Sequence, residues 1–105
     1  QKKELNAVWE EMLQTGKTNV NFILQKVTIF FGNYLTQWGK TIVLALKVAY
    51  LYTMYENKMI AVTFNSRALK GQFIQLITNF IVENTNEEPD WSRIKIIHAW
   101  GSKNS

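Results

Sequence analysis

Hydrophobic positions near the start of the chain recur at the three- and four-residue steps of an amphipathic helix. Lysine and glutamate side chains occupy the opposite side, and Gly16 follows as a stop signal. The pattern predicts a short first helix whose buried stripe consists of Leu5, Val8, Trp9, Met12 and Leu13.

A second stripe begins after Thr18 or Asn19, either of which can act as the N-cap, and ends before Gly39. It predicts one long helix with the apolar positions Val20, Leu24, Val27, Phe31, Tyr34, Leu35 and Trp38. A strand over residues 27–31 is the alternative, because β-branched and aromatic residues crowd there and Gly32 weakens a helix.

Residues 41–52 are apolar on both alternating faces, and Lys47 is their one charged position. This is typical of a central strand covered on two sides, although a buried helix has the same appearance by periodicity. The polar segment 55–58 then predicts a turn, and residues 59–64 predict a second strand with Ile60, Val62 and Phe64 inward. The two strands would form a β-hairpin.

A third helix is expected to begin at Asn65 or Ser66, either of which can cap it, and to end near Asn84. Its apolar stripe consists of Leu69, Phe73, Leu76, Ile77 and Phe80. A polar loop follows over residues 85–90, and the alternation over 93–100 predicts a final strand. Residues 101–105 are expected to form a disordered tail.

The order of these elements predicts one α+β domain over residues 1–100. Two N-terminal helices precede a β-hairpin, a helix and a final strand, so that helices would cover a small sheet. The chain has 105 residues, the size of a single domain, and 47% of them are hydrophobic, which is enough for a core.

The composition argues against several kinds of site. Cysteine is absent and His98 is the only histidine, which excludes disulfides and thiolate metal sites and disfavours zinc. No apolar run is long enough to cross a bilayer. We therefore expect a cytoplasmic protein without cofactor, metal or membrane span, while the absence of an initial Met leaves an upstream anchor or ATPase domain open.

No arrangement of catalytic residues is recognisable. Residues 38–41 resemble the end of a phosphate-binding loop, but position 34 is Tyr where that loop needs glycine. His98 has no nucleophile motif near it, and the paired carboxylates fall on a solvated helix face and in a polar loop. These observations predict a protein that is not an enzyme.

Positive charge is concentrated in the middle of the chain. The net charge is +4, and from Lys17 to Lys70 there are seven basic residues and one acid, Glu56. Such a segment permits weak, non-specific binding of single-stranded nucleic acid. The candidate residues are Lys40, Lys58, Arg67 and Lys70, with Tyr52 or Tyr55 as a platform on which a base could stack.

Tryptophan is abundant, with four in this short chain. Trp9 and Trp38 belong to helix stripes and are expected in the core, whereas Trp91 and Trp100 flank the final strand. That strand is expected at an exposed sheet edge, where a protein partner or a second copy could dock. The predicted interface consists of Trp91, Arg93, Lys95 and Trp100.

Several segments follow the element order of a known family. They are the opening helix at residues 9–13, Leu46-Lys47 before a strand, residues 56–62 as a hairpin, Asn65-Ser66-Arg67 before a helix, and residues 94–97 as the closing strand. Here the chain resembles the KH-like interaction domains of bacterial replication proteins, such as the N-terminal domain of the initiator DnaA and the C-terminal domain of the clamp-loader gamma/tau subunit. The resemblance implies a docking module without catalysis, although residues 19–38 are longer than the corresponding segment of that family.

Two further interpretations stay open at this point. Leading helices before a curved sheet also describe nuclear-transport-factor-like soluble domains of conjugation and secretion assembly proteins, and the basic middle describes a weak nucleic-acid-binding domain. We expect a non-catalytic domain for protein interaction or assembly, with a protein partner or a homo-oligomer ahead of nucleic acid.

Overall fold

The computed structural model describes residues 2–31 and 37–99, and over these ranges it contains four helices and two strands. The helices and strands in chain order are α1 (Lys2–Thr15), α2 (Val20–Phe31), α3 (Gln37–Met54), β1 (Ile60–Phe64), α4 (Arg67–Thr85) and β2 (Ile94–His98). The predicted α+β class is confirmed. Among the described residues, no helix combines the length and apolar character needed to span a membrane.

The segment predicted to be the first strand of a hairpin is helical. Residues 41–52 lie within α3, whose 18 residues exceed the length of an ordinary strand. Leucine, lysine and the alanines Ala45 and Ala49 favour a helix, and apolar side chains on every side reflect burial by several neighbours. Periodicity could not distinguish the two structures because both faces are apolar.

The predicted second helix falls partly on α2 and partly on α3, and its residues 32–36 lie outside the described part of the chain. The α2 helix ends at Phe31 and α3 begins at Gln37, so Gly39 lies inside a helix and does not terminate one. The strand alternative for residues 27–31 is wrong, since these residues are helical. Asn19 caps α2, because its Oδ1 accepts hydrogen bonds from the amides of Asn21 (2.7 Å) and Phe22 (3.4 Å).

The sheet is parallel and has two strands over the described residues, with Ile60 opposite Ile94 and Phe64 opposite His98. The predicted hairpin is therefore wrong, because the turn at 55–58 joins a helix to a strand. The α4 helix makes the crossover that a parallel pair requires. Ser66 caps this helix as predicted, and its Oγ accepts from the Leu69 amide at 3.3 Å.

Helices cover one face of the sheet and leave the other to solvent. Val62, Phe64 and Ile94 are buried against the helices, whereas the outward side chains are exposed, namely Ala61, Thr63, Lys95 and Ile97. The predicted strand positions Val62 and Phe64 are therefore confirmed as inward.

Aromatic rings form the centre of the core. The Trp9 ring stacks on Phe80 with centroids 6.4 Å apart, and the Phe73 ring lies 5.0 Å from that of Phe64. Trp9, Phe73 and Phe80 are buried, as their stripes predict. The side chain of Trp38 and the predicted tail at 101–105 lie outside the described part of the chain.

Candidate docking groove along the third helix

One stripe of α3 stays open over residues 40–51, where all other positions of the helix are buried. Residues 41–43, 45–46 and 48–50 are buried by the other helices and by β1. The open stripe follows steps of four, three, four and four residues, which places its members on a single helix face. Its members are Lys40, Leu44, Lys47, Leu51 and Tyr55, the last lying just beyond the helix end.

The α2 helix forms one wall beside this stripe. Val20 and Leu24, one turn apart on α2, are 49% and 41% exposed and line a depression of about 320 Å³. The α3 residues of this depression are Lys40, Val43, Leu44 and Lys47. Half-exposed aliphatic side chains across from an apolar helix stripe leave space for further apolar groups.

The β1 strand forms the opposite wall, with one depression at each end. The depression at its carboxyl end, of about 310 Å³, lies between Leu44 and the segment Thr63–Asn65. The one at its amino end, of about 470 Å³, lies between Leu51 and the segment Lys58–Ala61 and includes Met59, which is 71% exposed. We name the three depressions and the α3 stripe together the α3 groove.

The charge of the α3 groove is uniformly positive. Lys40, Lys47 and Lys58 line it, and no Asp or Glu is among the described residues of its lining. Nor does any of the three lysines form a salt bridge with a carboxylate within the described ranges. The groove is therefore a largely apolar channel whose lining includes three lysine side chains.

The structure separates the four residues predicted to bind nucleic acid. Lys40 and Lys58 lie at opposite ends of the α3 groove, whereas Arg67 and Lys70 begin α4. The Lys70 ammonium lies 3.1 Å from Nε2 of His98 at the carboxyl end of β2. Lys40, Arg67 and Lys70 are thus near the carboxyl ends of the strands, and Lys58 is at the other end.

Arg93, a member of the predicted interface, makes contacts within the chain. Its guanidinium lies 4.0 Å from the Tyr52 ring centroid and donates to the carbonyl oxygens of Tyr52 (2.9 Å) and Tyr55 (2.7 Å). These carbonyls belong to the last turn of α3 and the residue after it, where carbonyls lack helical partners. Arg93 therefore fastens the start of β2 to the end of α3.

The loop before β2 completes this attachment. The Asp90 amide donates to the Tyr52 hydroxyl at 2.9 Å, and the Asp90 carboxylate accepts from the hydroxyl of Ser92 at 2.6 Å and from its amide at 3.0 Å. The two bonds from Ser92, the hydroxyl bond first, and the charge of Arg93 hold the pKa of the Asp90 carboxyl below its ordinary value.

Two further members of the predicted interface, Trp91 and Lys95, are exposed. Trp91 is 40% exposed, and Lys95 projects from the open face beside the exposed Ile97. Trp100 is beyond the described residues. This surface has fewer exposed apolar side chains than the α3 groove and no cavity of comparable size among the described depressions.

The groove residues Leu44 and Leu51 were not singled out from the sequence. They were assigned to a strand, and on a strand they fall on opposite faces, whereas on a helix they align with Lys40 and Lys47. The four-three-four spacing of these residues is the signal that would have identified them.

Comparisons with known proteins supply no relative. No family model, curated protein or solved structure matches this chain. Within the described residues, no group of three His, Cys, Asp or Glu side chains is placed to hold a metal ion.

Proposed function

We propose that this chain is a non-catalytic interaction domain that assembles with a partner protein through the α3 groove. The observation that supports the proposal is the open stripe over residues 40–51 of α3, where all other positions are buried. Apart from Lys40 and Lys47 most of this stretch is apolar, and the apolar side chains of a helix are normally covered. Here Leu44 and Leu51 are only partly covered by the chain itself.

The surroundings of the stripe support the same function. Exposed apolar residues that adjoin one another mark interaction sites more often than scattered ones do. Val20, Leu24, Tyr55 and Met59 all line the groove and rank among the large hydrophobic residues with the greatest exposure. A partner that covers them removes this apolar area from water, which is the main driving force for association.

A second candidate function is weak binding of single-stranded nucleic acid near the carboxyl ends of the strands. Lys40, Arg67 and Lys70 lie at that end, and three phosphate contacts give a slope of log affinity against log salt of about −2. A salt titration with an oligonucleotide measures this slope directly. The nuclear-transport-factor-like alternative receives less support, since the described sheet has two strands where that fold needs at least four.

Site-specific photo-crosslinking tests the proposed docking surface. A photoreactive amino acid is placed at Lys47 in the α3 groove, at Lys95 on the open sheet face, or at Gln75 on the exposed side of α4. The three proteins are irradiated in the native cells, and the crosslinked segments are sequenced by mass spectrometry.

We expect one recurrent protein segment crosslinked from position 47 and none from position 75. Adducts formed from position 95 alone would contradict the groove and favour the predicted interface around β2. The absence of adducts at all three positions, with the protein folded and expressed, would contradict an interaction function.

A further inference from the structure

We infer that the partner segment is an acidic amphipathic helix, lying along α3 with carboxylates toward Lys40 and Lys47. This inference rests on the proposed function and specifies what the α3 groove binds. It follows from the spacing of the α3 stripe, from the small number of free backbone groups on β1, and from the charge of the groove lining.

The spacing of the stripe favours a helix. Lys40, Leu44, Lys47 and Leu51 follow steps of four, three and four residues, so leucine and lysine alternate along one straight stripe that suits the apolar face of an amphipathic helix with acidic residues beside it. From Lys40 to Tyr55 the stripe is about 22 Å long at 1.5 Å per residue, which corresponds to about four helical turns. Val20 and Leu24 on α2 stand one turn apart beside it and can contact the same partner helix.

An extended partner strand is less well accommodated. The Ile60 amide donates to the carbonyl oxygen of Arg93 at 2.8 Å, and the Ala99 amide donates to the carbonyl oxygen of Phe64 at 2.7 Å. The even-numbered residues of β1 therefore direct their backbone groups toward β2. Only Ala61 and Thr63 direct their N–H and C=O groups outward from β1. Two residues offer few backbone hydrogen bonds to an added strand, whereas the α3 stripe is continuous over its whole length.

The charge of the lining selects an acidic partner. Three lysines and no carboxylate line the described groove, so glutamate or aspartate beside the apolar stripe of the partner would form interhelical pairs. A second copy of this chain is disfavoured, because a two-fold contact between α3 helices would bring Lys40 and Lys47 of both copies into one interface. Nucleic acid is disfavoured along α2, where the exposed lining is entirely apolar.

Selection from a random library of displayed peptides identifies the chemistry that the α3 groove prefers. The bait is the full chain, and each enriched peptide is measured by fluorescence anisotropy against the wild type and the double variant Lys40→Glu/Lys47→Glu. The control Lys3→Glu/Lys17→Glu carries the same change in net charge at two exposed lysines that belong neither to the groove nor to the predicted interface around β2. Melting curves verify folding, and Lys40→Gln/Lys47→Gln replaces the reversal variant if it fails to fold.

We expect enriched peptides with apolar residues at i, i+3 or i+4 and i+7, flanked by Asp or Glu, that become helical on binding. Lys40→Glu/Lys47→Glu should weaken the affinity for these peptides about tenfold or more, and the control double variant should weaken it by less than about threefold. Peptides that bind the groove but are neutral, basic or extended would overturn the inference that the partner is an acidic helix, while leaving the proposed function intact. Peptides that bind equally well to all variants and leave the groove residues unperturbed in NMR spectra would overturn both.

Discussion

Phe73 shows at the scale of single residues how helix periodicity determines the core. Its side chain is fully buried and its ring packs on Phe64, as the stripe of α4 predicts. The stripe of α1 likewise places Trp9 in the core, against Phe80 and Tyr50. Such residues are predictable because one buried face on a helix leaves a clear three- and four-residue period.

Replacing Phe73 with Ala should lower the free energy of unfolding by about 3–5 kcal/mol, because it removes a buried ring and leaves a cavity. Gln75→Ala, at an exposed position of the same helix, is the control and should change it by less than about 0.5 kcal/mol. Chemical denaturation measures both values. Equal stability of the two variants would contradict the orientation of α4.

At the scale of elements, α3 and the attachment of β2 to its end depend on contacts that local sequence does not show. Apart from Lys47, residues 41–52 have few strongly polar positions, so no hydrophobic period distinguishes a helix from a strand, and the packing of the surrounding helices decides between them. The parallel pairing of β1 with β2 joins residues more than thirty positions apart, which no turn signal specifies. The bonds from Arg93, a residue of the predicted interface, to the carbonyl oxygens of Tyr52 and Tyr55 are likewise not indicated by the local sequence.

Arg93→Ala should destabilise the fold by about 1–3 kcal/mol, because it removes the guanidinium bonds to the Tyr52 and Tyr55 carbonyl oxygens and the contact with the Tyr52 ring. The Tyr55 carbonyl retains its bond from the Lys58 amide. Arg93→Lys keeps the positive charge but lacks the planar guanidinium with its several N–H donors. It should therefore recover only part of the stability that Arg93→Ala loses. Denaturation gives the stabilities, and amide exchange near residues 52–58 should rise in both variants. Full recovery by lysine would show that charge alone matters.

Asp90 provides a pH test of the same attachment. Because its pKa is lowered in the folded chain, its ionised form stabilises the fold above the ordinary unfolded value of about 3.9, and this contribution is lost as pH falls through the folded value. The stability of Asp90→Asn should therefore approach that of the wild type as the pH is lowered from about 5 to about 2. A difference that is constant over this range would contradict the role of the carboxylate.

At the scale of the whole molecule, the structure redistributes the charges that the sequence groups together. The concentration of basic residues in the middle of the chain is evident from the sequence, but which of these residues lie together in the fold is not. The fold places Lys40, Lys47 and Lys58 along one groove and moves Arg67 and Lys70 to the start of α4. The groove was not predicted because it exists only when α3 is a helix between α2 and β1.

A charge-swap experiment tests the central claim that α3 recognises an acidic helix. The tightest selected peptide is compared with a version in which Lys replaces the Asp or Glu residues beside its apolar stripe, against wild type and Lys40→Glu/Lys47→Glu. Affinity measurements on the four pairs give the coupling between the two sets of charges.

The account predicts that each mismatched pair binds about tenfold or more weakly than the original and that the doubly swapped pair regains most of the affinity. Equal affinities for all four pairs, or a swapped peptide that binds both proteins weakly, would show that the lysines of α3 do not recognise the partner.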